Sequence, residues 1–281
     1  MKATAEWLAS TGATFSAGNG QSGIAHLTHY SAEYRVWGDG PPLVLLPGLA
    51  GGFELLGPIA RILAANYRVI SFQSRGENDC FALRRRFDLD DLVDDLSEFL
   101  DWHFLERPAV CGLSFGGVLG LEFAARYPSR LRALAIQGAG AKFERSLIKQ
   151  VAGVVLSRYP LPSNNSFVNQ FFNLLFGGRQ KPGPLFDFVT GQCWQTDQSV
   201  IAHRFHLIEH FDMDGRLNRI RVPALIMAGD RDLLTSEKSL EELADGIAES
   251  ERVKLRGCGH LAFVTHPELV ASAIHQFLQR S

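Results

Sequence analysis

The stretch CGLSFGG, residues 111–117, places one serine between glycines at the point where two apolar segments meet. A serine in a sharp strand-to-helix turn brings the neighbouring backbone very close on both sides, so only glycine fits at Gly112 and Gly116. Such a turn lifts the hydroxyl of Ser114 clear of the sheet. It also places that oxygen at a helix N-terminus, where free N–H groups favour developing negative charge.

The spacing G-x-S-x-G has a plainer interpretation, because glycine and serine are common and many strand-to-helix turns are rich in glycine. In that interpretation the serine has no chemical role. The flanking sequence favours the first interpretation: the apolar run PAVC enters the turn, and a long apolar segment leaves it and stops at Pro128. We therefore take Ser114 as a candidate nucleophile.

Short apolar runs alternate with amphipathic segments along most of the chain. Runs this short, apolar on both faces and bounded by Gly or Pro, are typical of strands covered on both sides. The predicted strands are residues 41–48, 67–76, 107–114, 131–138, 222–229 and 251–259, with an edge hairpin at 26–38. The predicted helices are residues 53–65 with a restart at Pro58, 88–103, 115–128, 236–248 and 266–280. This alternation predicts an α/β fold with a mostly parallel sheet flanked by helices.

One region breaks the alternation. Residues 140 to 220 contain no strand signal and are rich in Phe, Asn and Gly. A loop of that length needs structure of its own. We therefore predict a core formed by residues 1–140 and 218–281, with residues 141–217 inserted as a mainly helical lid.

A serine hydroxyl is a poor nucleophile unless a base takes its proton and a third group orients the base. Two segments supply such groups, each directly after a predicted strand. AGDRDLLT (228–235) carries Asp230 and Asp232, and RGCGHLAF (256–263) carries His260 among small residues. The resulting chain order of serine, acid and histidine is the order found in hydrolases with this serine turn. At this point both aspartates are candidates for the acid.

The LLPG turn, the SRG segment, GLSFGG, GDRD and GCGH together resemble an α/β-hydrolase with a lid. The resemblance implies an eight-stranded, mostly parallel sheet and a mechanism without cofactor or metal. It implies that Ser114 is the nucleophile, His260 the general base and acid, and Asp232 the residue that orients His260. Asp230 is the runner-up for that last role and is more simply a residue that braces its own turn.

The resemblance also implies an oxyanion hole made by two backbone N–H groups, of Phe115 and of Leu49 in PGLAGG. The family commonly has His-Gly before the second donor, where this chain has Pro47 followed by Gly48. Leu49 keeps its N–H, but the departure leaves open how the loop is braced. Each such donor is typically worth about 10²–10³ in rate.

The aromatic residues of the predicted lid either pack together or face the nucleophile, and they favour an apolar pocket. From them we predict Phe172, Phe176 and Trp194 as pocket residues. The other aromatics considered for the lid interior are Phe167, Phe171, Phe186 and Phe188. The lid cations that could hold an anionic group are Arg158, Arg179, Lys181 and Arg204.

The lid also contains HLIEH, residues 206–210, which matches the H-x-x-E-H signature of a class of zinc peptidases. On a helix the two histidines would share one face, as metal ligation requires. No third ligand is evident in the sequence. The plainer interpretation is an amphipathic lid helix that turns Phe205, Ile208 and Phe211 inward, and we favour it over a metal site.

The composition argues against several other classes of protein. The formal net charge of −2 gives no reason to expect nucleic acid as a partner, and the run of arginines at 84–86 is most simply a solvated loop. No stretch approaches the roughly 20 apolar residues of a membrane span, and residues 1–18 lack the apolar core of an export signal. The four cysteines are far apart in sequence, which favours reduced thiols and a cytoplasmic location.

These observations predict a serine hydrolase that cleaves an ester or related acyl bond in a small to medium apolar substrate through an acyl-enzyme. The alternatives are hydrolysis of a carbon–carbon bond or acyl transfer by the same triad, and a ligand-binding protein of this fold without turnover. The sequence does not separate them, because the lid rather than the triad decides which substrate enters.

Overall fold

The structure is a computed structural model that describes residues 20–77, 85–143, 153, 166–178 and 183–281. Its centre is an eight-stranded sheet with the strand order β1-β2-β4-β3-β5-β6-β7-β8. The strands are β1 (Gln21–His26), β2 (Ser31–Trp37), β3 (Pro42–Leu46), β4 (Arg68–Phe72), β5 (Ala109–Leu113), β6 (Ala133–Gln137), β7 (Ala224–Gly229) and β8 (Ser250–Leu255). Strands β3 to β8 are parallel to one another. Strands β1 and β2 form an antiparallel hairpin at one edge, and β2 pairs antiparallel with β4. The predicted mostly parallel, eight-stranded sheet is confirmed.

The central strands are apolar on both faces because both faces are covered. Every residue of β5 and β6 is buried. Along β3 the side chains alternate between two separate apolar layers: Val44 and Leu46 belong to one, and Leu43 and Leu45 to the other. A sheet covered on both faces leaves its carboxyl edge as the place where loops, and hence functional side chains, meet.

The helices of the described residues cover these two faces and the carboxyl edge of the sheet. They are α1 (Gly57–Leu63), α2 (Leu89–Trp102), α3 (Phe115–Arg126), α4 (Ser166–Leu175), α5 (Pro184–Cys193), α6 (Gln198–Glu209), α7 (Glu237–Gly246), α8 (Ala262–Thr265) and α9 (Pro267–Leu278). Helices α2 and α3 pack on one face of the sheet, and α1 and α9 pack on the other. Among the described residues, no helix combines the length and the apolar character that crossing a membrane requires.

Local sequence explains where several helices begin. At the start of α2, the Asp88 side chain accepts a hydrogen bond from the Asp91 backbone N–H, and the Asp91 side chain accepts one from the Asp88 N–H. Helix α1 begins at Gly57, with Pro58 in its first turn, where the missing N–H of proline costs nothing. The predicted helix over residues 53–65 is therefore divided, and a separate 3₁₀ turn, Gly52–Glu54, precedes α1.

Two elements depart from the predicted pattern. The edge hairpin begins at Gln21, five residues before the predicted start at residue 26. The sequence does not reveal these first residues because β1 is polar and mostly exposed, so it has no apolar pattern. The short helix α8, which follows His260, was not predicted. It is only four residues long, too short to show a helical period.

Helices α4, α5 and α6 lie within residues 141–217, and the ends of this segment lie side by side. The Phe143 N–H donates to the Phe211 carbonyl at 3.2 Å, and the Met213 N–H donates to the Ala141 carbonyl at 2.9 Å. A segment that leaves and re-enters the core at one place can be inserted without changing the sheet. The division into core and lid remains a prediction.

Candidate active site

Ser114 lies at the junction of β5 and α3 with the backbone angles φ 54° and ψ −114°, which few residues adopt. The two glycines of the motif are required by close backbone contacts. A Cβ atom at Gly112 would lie 2.2 Å from the Gly116 carbonyl oxygen, and one at Gly116 would lie 2.2 Å from the Leu46 carbonyl oxygen. The glycines therefore allow a strained turn that presents the serine at the carboxyl edge of the sheet.

The structure brings Ser114, His260 and Asp232 together from three distant parts of the chain. His260 Nε2 lies 2.8 Å from Ser114 Oγ, and His260 Nδ1 lies 2.9 Å from Asp232 Oδ2. A carboxylate can only accept a hydrogen bond, so Nδ1 carries the proton and Nε2 is left to accept from the serine hydroxyl. The geometry is that of a nucleophile beside its base, with the base oriented by an acid.

The carboxylate of Asp232 is held ionised. Burial by itself raises the pKa of Asp232, but the attraction of His260 and three hydrogen bonds outweigh it, so the pKa lies below its ordinary value. The hydrogen bonds come from the His260 ring and from the backbone N–H groups of Leu234 and Thr235.

Asp230, the second candidate for the acid, lies elsewhere. It is exposed, and its Oδ1 accepts a hydrogen bond from the Gly257 N–H at 2.8 Å. It therefore ties the turn after β7 to the turn after β8. The structure brings Asp232 and not Asp230 to His260.

Two residues at the end of β6, Gln137 and Gly138, lie against His260. The sequence did not predict either contact. The Gln137 amide donates to the His260 carbonyl at 2.9 Å in a buried hydrogen bond. Gly138 has φ +71°, and a Cβ atom there would lie 3.0 Å from His260 Cε1. The only sequence signal is a polar residue followed by glycine at the end of a buried strand, in QGAG.

The two predicted oxyanion donors are close to Ser114. Leu49 and Phe115 both border the cavity into which Ser114 and His260 open. Gly48 also borders it, and a Cβ atom at Gly48 would lie 3.7 Å from the Ser114 Cβ. Phe115 is the first residue of α3, so its N–H is one of the free donors of that helix. Their role as donors to an oxyanion remains a prediction.

The cavity has a volume of about 210 Å³ and is lined mostly by apolar side chains. Two of the predicted pocket residues, Phe172 and Trp194, border it. Phe176 does not. It is buried against Phe186, with the ring centroids 5.7 Å apart, so its prediction as a pocket residue is corrected to a packing role. The three residues predicted to turn inward from the lid helix, Phe205, Ile208 and Phe211, also border the cavity.

Cys193 borders the same cavity, so its thiol is a second potential nucleophile there. Burial raises the pKa of its thiol to about 12. Because the thiolate is the reactive form, this raised pKa argues against Cys193 as the nucleophile. Cys111, Cys193 and Cys258 are free thiols, and Cys80 lies outside the described residues.

The H-x-x-E-H segment does not assemble a metal site in the part of the chain that the structure describes. The rings of His206 and His210 lie together, with centroids 4.3 Å apart, but no group of three or more His, Cys, Asp or Glu side chains could hold an ion there. His203, three residues before His206, donates from Nε2 to the Phe87 carbonyl at 2.6 Å. These contacts favour the interpretation of this segment as an amphipathic helix.

Of the cations considered for an anionic ligand, only Arg204 lies among the described residues, and it does not border the cavity. It is fully buried and forms an ion pair with Glu77 at 2.6 Å. Arg158, Arg179 and Lys181 lie outside the described residues. A different cation, Lys142, does border the cavity and is paired with Glu242 at 2.9 Å.

Comparison with known proteins agrees with this fold. The model of the alpha/beta hydrolase family matches residues 43–273. The chain therefore belongs to the alpha/beta hydrolase family, and the resemblance seen in its motifs is confirmed.

The relatives cover nearly the whole chain at low identity. A putative carbamate hydrolase RutD of Agrobacterium fabrum is 23% identical over 255 residues, which is 89% of this chain and 97% of the relative. A poly(3-hydroxyalkanoate) depolymerase of Ectopseudomonas oleovorans is 28% identical over 253 residues, with 85% and 84% covered. The crystal structure of a hydrolase from Pseudomonas aeruginosa PA01 aligns with a TM-score of 0.81 and 23% identity, covering 93% of this chain and 98% of that one. At this identity the structural likeness shows the fold alone.

Proposed function

We propose that the protein is a serine hydrolase that cleaves an ester or related acyl bond through an acyl-enzyme on Ser114. The observation that carries the proposal is the chain of contacts from Ser114 Oγ to His260 Nε2 at 2.8 Å and from His260 Nδ1 to Asp232 Oδ2 at 2.9 Å. Ser114 borders an apolar cavity, through which a substrate carbonyl can reach its Oγ.

The chemistry follows from which atoms can give and accept protons. His260 Nε2 takes the proton of Ser114 Oγ while that oxygen bonds to the substrate carbonyl carbon, and the carbonyl electrons move onto its oxygen. The N–H groups of Leu49 and Phe115 receive the oxyanion. Asp232 keeps the imidazole in the productive tautomer and stabilises the imidazolium.

The acyl-enzyme forms when the tetrahedral intermediate collapses. The bond from the carbonyl carbon to the leaving oxygen breaks, and that oxygen takes the proton from His260 Nε2 and departs as an alcohol. Water then repeats the sequence: His260 takes one of its protons, the hydroxide oxygen bonds to the acyl carbon, and Ser114 leaves with the proton returned by His260. The products are one alcohol and one carboxylic acid.

The cavity lining supports an apolar acyl substrate of small to medium size. Its wall is built largely from aromatic and aliphatic side chains, which bind hydrocarbon by removing it from water. The volume of about 210 Å³ leaves room for a chain of limited length. The names of the two relatives, a carbamate hydrolase and a poly(3-hydroxyalkanoate) depolymerase, are compatible with hydrolysis at a carbonyl group.

We further propose that residues 141–217 act as the lid of this site. Many of their described residues border the cavity, among them Phe172, Trp194 and Phe205. The carbonyl of Leu175 accepts a hydrogen bond from the Leu261 N–H at 3.1 Å, which ties the segment to the turn that carries His260. Substrate choice would then depend on this segment more than on the triad.

The test is steady-state kinetics with p-nitrophenyl esters of increasing chain length, run beside a few diketones and lactones. We expect turnover of short to medium esters and a loss of several orders of magnitude in kcat for Ser114→Ala. Ser272→Ala is the matched control, because Ser272 is exposed on α9 and does not border the cavity. Turnover of diketones only would favour the carbon–carbon alternative, and binding without turnover of any substrate would favour the non-catalytic one.

A further inference from the structure

Arg204 is the largest fully buried side chain among the described residues, and it is charged. It extends from α6, within the proposed lid, into the core. Its Nη1 donates to Glu77 Oε1 at 2.6 Å, and the two side chains are 0% and 4% exposed. A charge this deep is tolerated only when it is paired with an opposite charge.

Two further hydrogen bonds from Arg204 go to backbone next to the active site, whereas its buried Nε has no hydrogen-bond partner among the described residues. Nη1 also donates to the Leu49 carbonyl at 3.2 Å, and Nη2 donates to the Arg75 carbonyl at 3.1 Å. The guanidinium carbon lies 5.6 Å from the centre of the Phe115 ring. Arg204 therefore contacts both residues that we propose as oxyanion donors, Leu49 and Phe115, although it does not border the cavity itself.

Glu77 fixes the guanidinium against the same loop. Its Oε2 accepts a hydrogen bond from the Ser74 N–H at 3.0 Å, so the carboxylate is anchored to the segment after β4. A Cβ atom at Gly52 would lie 3.6 Å from that oxygen, an ordinary van der Waals distance, so the loop over residues 48–52 lies beside the pair. A second contact from the same lid segment, Thr196 Oγ1 accepting from the Gly51 N–H at 3.0 Å, holds the far end of the loop.

The ion pair is poorly explained by stability alone. Taking two charges out of water costs about as much as their attraction returns, and apolar side chains of similar size usually pack at least as well. What a guanidinium adds is direction, because its planar set of N–H donors fixes several acceptors at once. Here those acceptors are Glu77 and the carbonyls of Leu49 and Arg75.

We propose that Arg204, held by Glu77, is a positioning residue that sets the geometry of the oxyanion hole through the Leu49 loop. The inference rests on the proposed function and supplies the brace that Pro47 and Gly48 leave open. It also means that the N–H of Leu49 is correctly placed only while α6 is docked on the core. The lid thereby takes part in transition-state stabilisation as well as in substrate binding.

The test compares four variants by kinetics and by thermal unfolding: Arg204→Lys, Glu77→Gln, the charge-free double variant Arg204→Met with Glu77→Gln, and His203→Gln. His203 is the matched control, because it anchors the same helix to the core through hydrogen bonds to Phe87 and has none to Leu49 or Phe115 among the described residues. The substrate is the best p-nitrophenyl ester of the panel. A boronic acid carrying the same acyl chain serves as an analogue of the tetrahedral intermediate.

We expect kcat to fall about 10- to 100-fold in the Arg204 and Glu77 variants while KM changes little, because a displaced oxyanion donor weakens the transition state and not the ground state. Boronate affinity should fall by a similar factor. The pH dependence of kcat/KM should keep its midpoint, since His260 and Asp232 are unchanged. The double variant, which leaves no unpaired buried charge, should unfold near the wild-type temperature and still have a low kcat. The kcat of Arg204→Lys should lie between those of the wild type and the double variant.

The inference is overturned if the double variant folds and retains wild-type kcat, if KM alone changes, or if His203→Gln loses as much kcat as the Arg204 variants. If a variant with a single substitution fails to fold, the kcat of the double variant tests the inference. These outcomes are distinct from failure of the proposed function. Wild-type protein without esterase activity would contradict both the proposed function and this inference. An active wild type, an inactive Ser114→Ala and fully active Arg204 variants would contradict this inference alone.

Discussion

His260 and Asp232 face each other at 2.9 Å with side chains that are 6% and 0% exposed. The second carboxylate oxygen of Asp232 already accepts from the backbone N–H groups of Leu234 and Thr235. The imidazole is therefore the partner left for Oδ2, and it must present an N–H there. This arrangement fixes the ring tautomer before any substrate arrives.

The first prediction concerns that tautomer. Asp232→Asn replaces an acceptor by a group that can donate to Nδ1, which favours the imidazole form with its proton on Nε2, where it cannot take the proton of Ser114. We expect kcat to fall about 10⁴-fold with little change in fold. Asp230→Asn is the control: among the described residues the Asp230 side chain accepts a hydrogen bond from the Gly257 N–H and does not contact His260 by a hydrogen bond, so kcat should remain within a few-fold of wild type. Equal losses in the two variants would contradict the assignment of the acid.

The second prediction concerns stability at low pH. Because the pKa of Asp232 is lower in the folded protein than in the unfolded chain, the folded state binds fewer protons there. The associated stability is fully present above the ordinary aspartate pKa of about 4, and it is lost as the pH falls through the lower, folded value. Denaturant unfolding should show that, below about pH 4, the free energy of unfolding of the wild type decreases relative to that of Asp232→Asn. A difference that is constant down to pH 2 would refute it.

The third prediction uses two glycines with positive φ. Gly138→Ala and Gly215→Ala both force alanine into the left-handed region, at φ +71° and +66°, and each should cost about 1 kcal/mol in stability for that reason. Only the Cβ at Gly138 meets His260, 3.0 Å from Cε1; the Cβ at Gly215 has nothing within 4 Å. Gly138→Ala should therefore also lower kcat, while Gly215→Ala should not. Matched unfolding and kinetic assays separate the two effects.

The fourth prediction separates the cavity wall from the packing behind it. Phe172 and Phe176 lie four residues apart, at the end of α4 and just beyond it, and are 6% and 8% exposed, but only Phe172 borders the cavity. Each change to alanine should destabilise the protein by about 3 kcal/mol. Only Phe172→Ala should shift the preferred p-nitrophenyl ester to a longer acyl chain, because it enlarges the cavity. A shift of the same size in Phe176→Ala would place its ring in the substrate site.

The sequence predicts the buried strands well because their residues are apolar on both faces, as every residue of β5 and β6 is. It predicts β1 poorly for the opposite reason: a polar edge strand pairs through its backbone, which leaves no side-chain pattern. The sequence brings Ser114, Asp232 and His260 together because each lies within five residues of the end of a parallel strand, and parallel strands end at one edge of the sheet.

The sequence does not predict which side chains from distant segments form specific contacts. Arg204 and Glu77 are 127 positions apart, and nothing in either local segment indicates that they pair. The hydrogen bond from Gln137 to the His260 carbonyl spans 123 positions. The pocket prediction for Phe176 fails for another reason: Phe176 follows Phe172 by four residues and lies on the same side, so periodicity cannot separate the cavity wall from the core.

The most direct measurement of the central claim is labelling by a fluorophosphonate, followed by mass spectrometry of the digested protein. The reagent bonds to an activated serine oxygen, with loss of fluoride, and therefore reports the Ser114–His260 contact without assuming a substrate. We predict one adduct, on the peptide that contains Ser114, strongly slowed in Asp232→Asn and absent from Ser114→Ala. Folded wild-type protein that stays unlabelled, or that is labelled on another residue, would contradict the account.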